Sequence, residues 1–204
     1  MGFDDPLLEG RSLYHLCIDM QGLFSPEGPW PTPWMESVLP NIAATAELFG
    51  SRSVFTRFIP AVHPDVEIGT WRDYYRRWSN VTLDKLDAPQ LDVVEELRRF
   101  VPPAQVVDKN RFSAFAAPDL APILNAAAVD TLVITGAETD MCVMATVMDA
   151  LDRGYWIIIV SDAVCSSSDT GHDASLAIYR HRFAEQISVI NISELADRMC
   201  SHTR

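Results

Sequence analysis

Three polar residues in this sequence each stand just past an apolar run. Asp19 follows Leu16-Cys17-Ile18, and Lys109 follows Val106-Val107-Asp108. Cys142 comes after Val133-Ile134-Thr135-Gly136 and a short turn, at the start of a helical pattern. A cysteine at a helix N-terminus is a special case, because unpaired backbone N–H groups and the helix dipole favour the thiolate, which is the nucleophile. A lysine beside it favours the thiolate further. A carboxylate in reach can accept the thiol proton and return it to a leaving amine. Singly, each residue has a plainer explanation: the aspartate as a turn former, the cysteine as a small hydrophobe, the lysine as a solvated charge. The case for chemistry rests on their occurring together.

The elements that must position them alternate along the chain. Strands are expected at Leu13–Ile18, Ser53–Thr56, Gln105–Val107, Thr131–Thr135, Trp156–Val160 and Ile187–Ile190. These runs are apolar and rich in β-branched residues without strict alternation, as in strands covered on both faces. Helices are expected at about 35–49, 90–100, 118–127, 140–153, 171–184 and 193–200. In the fourth, Val143, Val147, Ala150 and Leu151 form one buried stripe, and Gly154 follows where a C-cap belongs. The pattern predicts a single α/β domain over residues 1–204: a three-layer αβα sandwich, Rossmann-like, with a mostly parallel six-stranded sheet. Two stretches break the rhythm, Gly22 to Pro33 and Pro60 to Pro89. Ligands of open parallel sheets bind at the carboxyl ends of the strands, which puts both stretches and all three polar residues on one face.

Composition narrows the partners. Of 204 residues, 48% are hydrophobic and 22% charged, which is globular and not disordered. A formal net charge of -12 disfavours nucleic acid and anionic membranes. The four cysteines are scattered without metal or disulfide spacing, no apolar run approaches a membrane span, and Met1–Pro6 lacks a basic leader region. These features predict a cytoplasmic protein with reduced thiols.

Three segments add specificity: Asp19-Met20-Gln21-Gly22-Leu23-Phe24, Asp108-Lys109-Asn110-Arg111-Phe112-Ser113-Ala114-Phe115, and Thr135-Gly136-Ala137-Glu138-Thr139-Asp140-Met141-Cys142-Val143. With a fourth running from Asp149-Ala150 to Val160-Ser161-Asp162-Ala163, they resemble the isochorismatase-like cysteine hydrolases, a family that includes nicotinamidases and N-carbamoylsarcosine amidohydrolases. The resemblance spans roughly residues 12 to 190. It implies Cys142 as nucleophile, Asp19 as acid/base and Lys109 as the third member of the catalytic set. It also implies a cis peptide joining Ala137 and Glu138, with the backbone N–H groups of Glu138 and Cys142 forming an oxyanion hole. Glu138 departs from the family pattern, which has a small residue there. True isochorismatases resemble this pattern without the cysteine, so the thiol points to hydrolysis of a small amide, carbamoyl or ureido C–N bond. Family members assemble as homodimers or homotetramers, and the same is expected here.

Nicotinamidases carry an Asp-x-His near the end of the second strand. The matching stretch here, Thr56 to His63, has none, and His63 with Asp65 reads as a solvated loop pair, so no metal and no cofactor is expected. Arg57 is placed either in the pocket or in a salt bridge with loop acids. Trp71, Tyr74, Tyr75 and Trp78 fall on one helical stripe that serves packing, a subunit contact or the pocket mouth. Phe24, Trp30 and Phe115 are further wall candidates. A dehalogenase-type phosphatase would need an acid where Gln21 stands, and no GxGxxG or P-loop motif is present. The other readings are a non-catalytic metabolite binder, a redox-active thiol without an evident resolving cysteine, and an ether-cleaving isochorismatase.

Overall fold

The computed structural model of the chain describes residues 10–202. The segment Met1–Pro6, read above as lacking a leader signal, lies outside them. The sheet consists of β1 (Leu13–Ile18), β2 (Ser53–Phe58), β3 (Gln105–Lys109), β4 (Thr131–Ala137), β5 (Trp156–Cys165) and β6 (Ile187–Ile190). Its six strands lie in the order β3-β2-β1-β4-β5-β6. Every neighbouring pair is parallel, so the expected "mostly parallel" sheet is parallel throughout. The helices are α1 (Met35–Phe49), α2 (Gly69–Arg77), α3 (Ala88–Leu91), α4 (Glu95–Arg98), α5 (Leu120–Ala126), α6 (Met144–Asp152), α7 (Asp169–Arg182) and α8 (Ile192–His202).

Helices cover both faces, and the period-2 alternation of the strands decides which residue meets which layer. On one face Cys17, Phe55, Val133 and Ile158 pack with Ile42, Ala46 and Phe49 of α1 and Leu195 of α8. On the other, Leu16, Ile18, Val54 and Ile134 pack with Leu124 of α5, Val147 and Ala150 of α6, and Tyr179 of α7. Because both faces are apolar, each central strand buries nearly every side chain; all seven residues of β4 are buried. Each such Val, Leu or Ile contributes roughly 1.5–3 kcal/mol of burial.

Two expectations change. The helix expected at 90–100 is α3 and α4 with an extended break between them. Val93 forms an antiparallel bridge with Gln21, and the Val94 N–H donates to the Met20 carbonyl at 2.9 Å. Helical propensity there yields to pairing with the loop that follows β1. The helix expected from residue 140 begins as a π-type turn over Thr139–Val143, and regular α6 starts only at Met144.

The order of strands sets the position of the site. The chain fills one half of the sheet from β1 outward to β3, then returns to lay β4 on the other side of β1 and runs outward to β6. The carboxyl ends of β1 and β4 therefore border the crevice where the winding reverses, which is where open α/β sheets bind ligands. The join is tight: Gly136 pairs with Ile18 and has φ 108°, and a Cβ there would lie 2.1 Å from the Ile18 carbonyl oxygen. Only glycine fits.

Candidate active site

Asp19 stands immediately beyond β1 with φ 47°, a left-handed conformation that aspartate tolerates better than most residues. Thr56 of β2 fixes it twice. Its hydroxyl donates to Asp19 Oδ1 at 2.6 Å and accepts from the Asp19 N–H at 3.1 Å. Lys109, the last residue of β3, reaches across β2 so that its Nζ lies 2.7 Å from Asp19 Oδ2. The same ammonium donates to the Arg111 carbonyl at 3.0 Å and sits 5.0 Å from the centre of the Phe58 ring. Neither side chain of this pair touches solvent. Gln21 locks the surrounding loop: its amide nitrogen donates to the Phe58 and Leu91 carbonyls, and its oxygen accepts the Phe58 N–H at 2.7 Å.

Cys142 comes from the other half of the sheet. The turn that carries it follows a cis peptide between Ala137 and Glu138, and the Glu138 carbonyl accepts the N–H groups of Met141 and Val143. This brings the Cys142 thiol into electrostatic coupling with both Asp19 and Lys109. Asp19, Lys109 and Cys142 thus converge, although the first and last lie 123 positions apart in the sequence.

The electrostatics set the resting state. Burial pushes the Cys142 thiol far above its usual range; the Lys109 ammonium draws it back only in part, and the Asp19 carboxylate raises it again. Burial alone would lower Lys109, but Asp19 and then Cys142 outweigh it and hold the ammonium above its usual range. Lys109 is therefore held as an ammonium, with the Cys142 thiol coupled to both members of the Asp19–Lys109 pair. The sequence suggested a helix-stabilised thiolate; Cys142 lies inside the π-type turn, 5% exposed, where burial opposes that form and Lys109 favours it.

A cavity of about 450 Å³ opens onto Cys142. Its apolar wall is aromatic. Phe24 stacks on Trp30 at 5.9 Å, and Trp30 in turn meets Phe58, Tyr74 and Trp78 at 5.9–6.0 Å. Phe112, from the loop after β3, completes this side. The opposite side is formed by Glu138, Asp140 and Met141 from the turn bearing Cys142, and by Ser167 from the loop after β5.

Of the wall residues proposed from sequence, Phe24 and Trp30 line the cavity, and Arg57, Trp71, Tyr75 and Phe115 do not. Arg57 makes a bidentate pair with Asp108 at 2.7 and 3.0 Å and a further contact with Asp92 at 3.5 Å, because β2–β3 register sets it opposite Asp108. The aromatic stripe of α2 divides. Tyr74 and Trp78, four residues apart, face the cavity, whereas Trp71 packs on Phe112 at 4.9 Å and Tyr75 is fully buried behind them. Phe115 lies over the other face of the sheet, stacked on Tyr155 at 5.8 Å under the Arg153 guanidinium. Phe58, Phe112, Asp140, Ser167 and the side chain of Glu138 were not singled out. The sequence signal for them was position alone: each lies in a segment that leaves the carboxyl end of a strand. His63 and Asp65 are an exposed pair 3.4 Å apart. Among the described residues, no group of three or more His, Cys, Asp or Glu is gathered as metal ligands would be. Nor is any described helix long and apolar enough to cross a membrane.

Fold and site together define an α/β protein with a buried carboxylate, ammonium and thiol at the switch point of a parallel sheet. The family model described as the isochorismatase domain matches residues 14–191, and the chain belongs to that family. Maleamate amidohydrolase of Pseudomonas putida is 32% identical over 173 residues, covering 82% of this chain and 78% of that protein. N-carbamoylsarcosine amidase of an Arthrobacter species is 28% identical over 168 residues, covering 80% of this chain and 63% of its own length. Among solved structures, a cysteine hydrolase from Pseudomonas syringae superposes with TM-score 0.77 at 25% identity, covering 93% of each chain.

Proposed function

We propose that this chain hydrolyses the C–N bond of a small amide, carbamoyl or ureido compound through a thioester on Cys142. The observation that carries the reading is the Asp19–Lys109 pair at 2.7 Å with the Cys142 thiol coupled to both, at the floor of a cavity. Asp19 takes the thiol proton as sulfur attacks the carbonyl carbon, and the Lys109 ammonium balances the negative charge passing onto sulfur. The carbonyl oxygen becomes an oxyanion held by the backbone N–H groups of Glu138 and Cys142. Asp19 then protonates the nitrogen, the C–N bond breaks, and ammonia or an amine departs. Water enters, Asp19 accepts one of its protons as hydroxide adds to the thioester carbon, and the C–S bond breaks as Asp19 returns that proton to sulfur, giving the acid and the free thiol. The names of the relatives, amidohydrolases for maleamate and N-carbamoylsarcosine, support the C–N bond as the target.

The test is ammonia release from a panel of small amides, ureas and carbamoyl compounds, run beside Cys142→Ala, with mass spectrometry of the quenched enzyme. Wild type should release ammonia and carry an acyl adduct on the Cys142 peptide, and the variant should do neither. Turnover surviving in Cys142→Ala would end the proposal.

A further inference from the structure

We propose that Glu138 makes this cavity selective for amides whose non-reacting end carries a cationic nitrogen on an apolar body. The inference deepens the amide-hydrolase reading and rests on it for the reacting end alone; the charge preference belongs to the cavity and can be measured without turnover.

Two kinds of surface dominate the cavity. One side is a continuous run of aromatic faces and edges centred on Trp30, with Phe24, Tyr74 and Trp78 around it. Such faces hold apolar bodies and attract cations through the ring quadrupole. The other side carries charge of a single sign, Glu138 and Asp140, and among the described residues no Lys, Arg or His lines the cavity. Arg77 lies outside the lining, its guanidinium 5.5 Å from the centre of the Trp78 ring, and the other cations close to the site are engaged elsewhere. Lys109 lies beneath Cys142, paired with Asp19; Arg111 pairs with Glu67 at 3.0 Å; Arg57 pairs with Asp108. A carboxylate-bearing amide entering here would meet two carboxylates and no counter-charge. An ammonium would meet both a carboxylate and aromatic faces.

The two carboxylates are not equivalent. Asp140 belongs to the frame: Oδ1 accepts from the Ser166 hydroxyl at 2.5 Å, and Oδ2 is packed so closely on Gly171 that a Cβ there would lie 2.0 Å away. Glu138 is held loosely, by the Thr32 hydroxyl on Oε1 at 3.3 Å and the Ser167 hydroxyl on Oε2 at 3.2 Å. Both are long for O–H···O bonds, so each oxygen keeps acceptor capacity. Burial holds the Glu138 carboxyl above its usual range, against the pull of Ser167, and an adjacent cation would relieve that penalty. A small residue, which the resemblance led us to expect at this position, could supply the backbone N–H but not this charge.

Three probes share a ring and a primary amide and differ in charge: 4-(aminomethyl)benzamide, 4-methylbenzamide and 4-carbamoylbenzoate. Their dissociation constants are measured by calorimetry on Cys142→Ala protein, and kcat/KM on wild type. The cationic amide should bind about tenfold more tightly than the neutral one, as a desolvated cation–carboxylate and cation–π contact gives, with the anionic one weakest. Adding Glu138→Gln should bring the cationic and neutral amides within about twofold of each other, and Glu138→Asp should restore part of the preference. Equal binding, an anionic preference, no binding of any probe, or a preference that survives Glu138→Gln in folded protein would overturn the inference. If the cationic amide binds best but wild type turns over none of the three, the charge selectivity stands and the hydrolase reading is what loses support.

Discussion

Asp19 and Lys109 neutralise each other where neither side chain is exposed, and the consequences can be measured residue by residue. Removing one member of a buried pair costs more than the pair itself contributes, since the survivor is left uncompensated. Lys109→Met should lower the free energy of unfolding by about 3–5 kcal/mol in denaturant titrations, and the double variant Asp19→Asn/Lys109→Met should recover part of that. Cys142→Ala removes neither member of the charged pair. It should abolish ammonia release while moving the denaturant midpoint little, since it removes one buried sulfur; a collapse in stability would mean that the thiol is structural. His15 makes a separate prediction. It is fully buried between the Ser53 hydroxyl at 3.1 Å and the Thr135 hydroxyl at 2.8 Å, and burial pushes its imidazole down from 6.5 to about 3. The unfolded chain takes up this proton below 6.5 and the folded chain does not until about 3. Stability is therefore lost as pH falls through that window, at about 1.4 kcal/mol per pH unit from this group. His15→Gln should shallow the acid limb of the stability–pH curve by that slope; an unchanged limb would show that His15 protonates in the folded state.

Among the elements, β4 and the turn after it carry the tightest constraints. Gly136→Ala must place a methyl group against the Ile18 backbone at a φ that L-residues avoid. It should cost about 3 kcal/mol or more, read as a lower thermal midpoint and a lower soluble yield. A stability equal to wild type would mean that β1 and β4 can part at their ends without loss. This is also the scale at which the sequence could and could not be read. The strand cores were legible because burial on both faces demands continuous apolar runs. The ends of β2, β4 and β5 were not: Arg57, Gly136 and Ser161-Asp162 look like loop residues, yet pairing with the neighbouring strand holds them extended. Asp19, Lys109 and Cys142 could be proposed because each stands at a strand's carboxyl end. The cavity wall was only half readable. The spacing of Trp71, Tyr74, Tyr75 and Trp78 puts them on one helix, but which two face the ligand depends on how α2 is rotated against Trp30 and Phe112, and no local pattern encodes that rotation.

The whole molecule adds a long-range field to these local effects. With a net charge of -12, the chain attracts cations toward a cavity mouth that itself bears two carboxylates. For 4-(aminomethyl)benzamide, kcat/KM should fall by about twofold or more as ionic strength rises from about 0.02 to 0.3 M, the range over which screening shortens to less than 10 Å. The uncharged 4-methylbenzamide should not respond, and an equal loss for both would point to an effect of salt on the protein and not on the encounter. The return of the chain at the β1–β4 seam has a consequence of another kind. Every aromatic on the cavity wall, with Asp19 and Lys109, comes from the first half of the sheet, through residue 112; the nucleophile, Glu138, Asp140 and Ser167 all come from the second. The apolar body of the substrate is thus held by the first stretch of the chain, which also supplies the acid/base pair, while the nucleophile and the charge-selecting Glu138 belong to the second, and the two meet along a single line. Exchange of the first stretch with that of a relative would alter the shape accepted while leaving the nucleophile's own loop intact, so the seam is a natural joint at which this scaffold can be recombined.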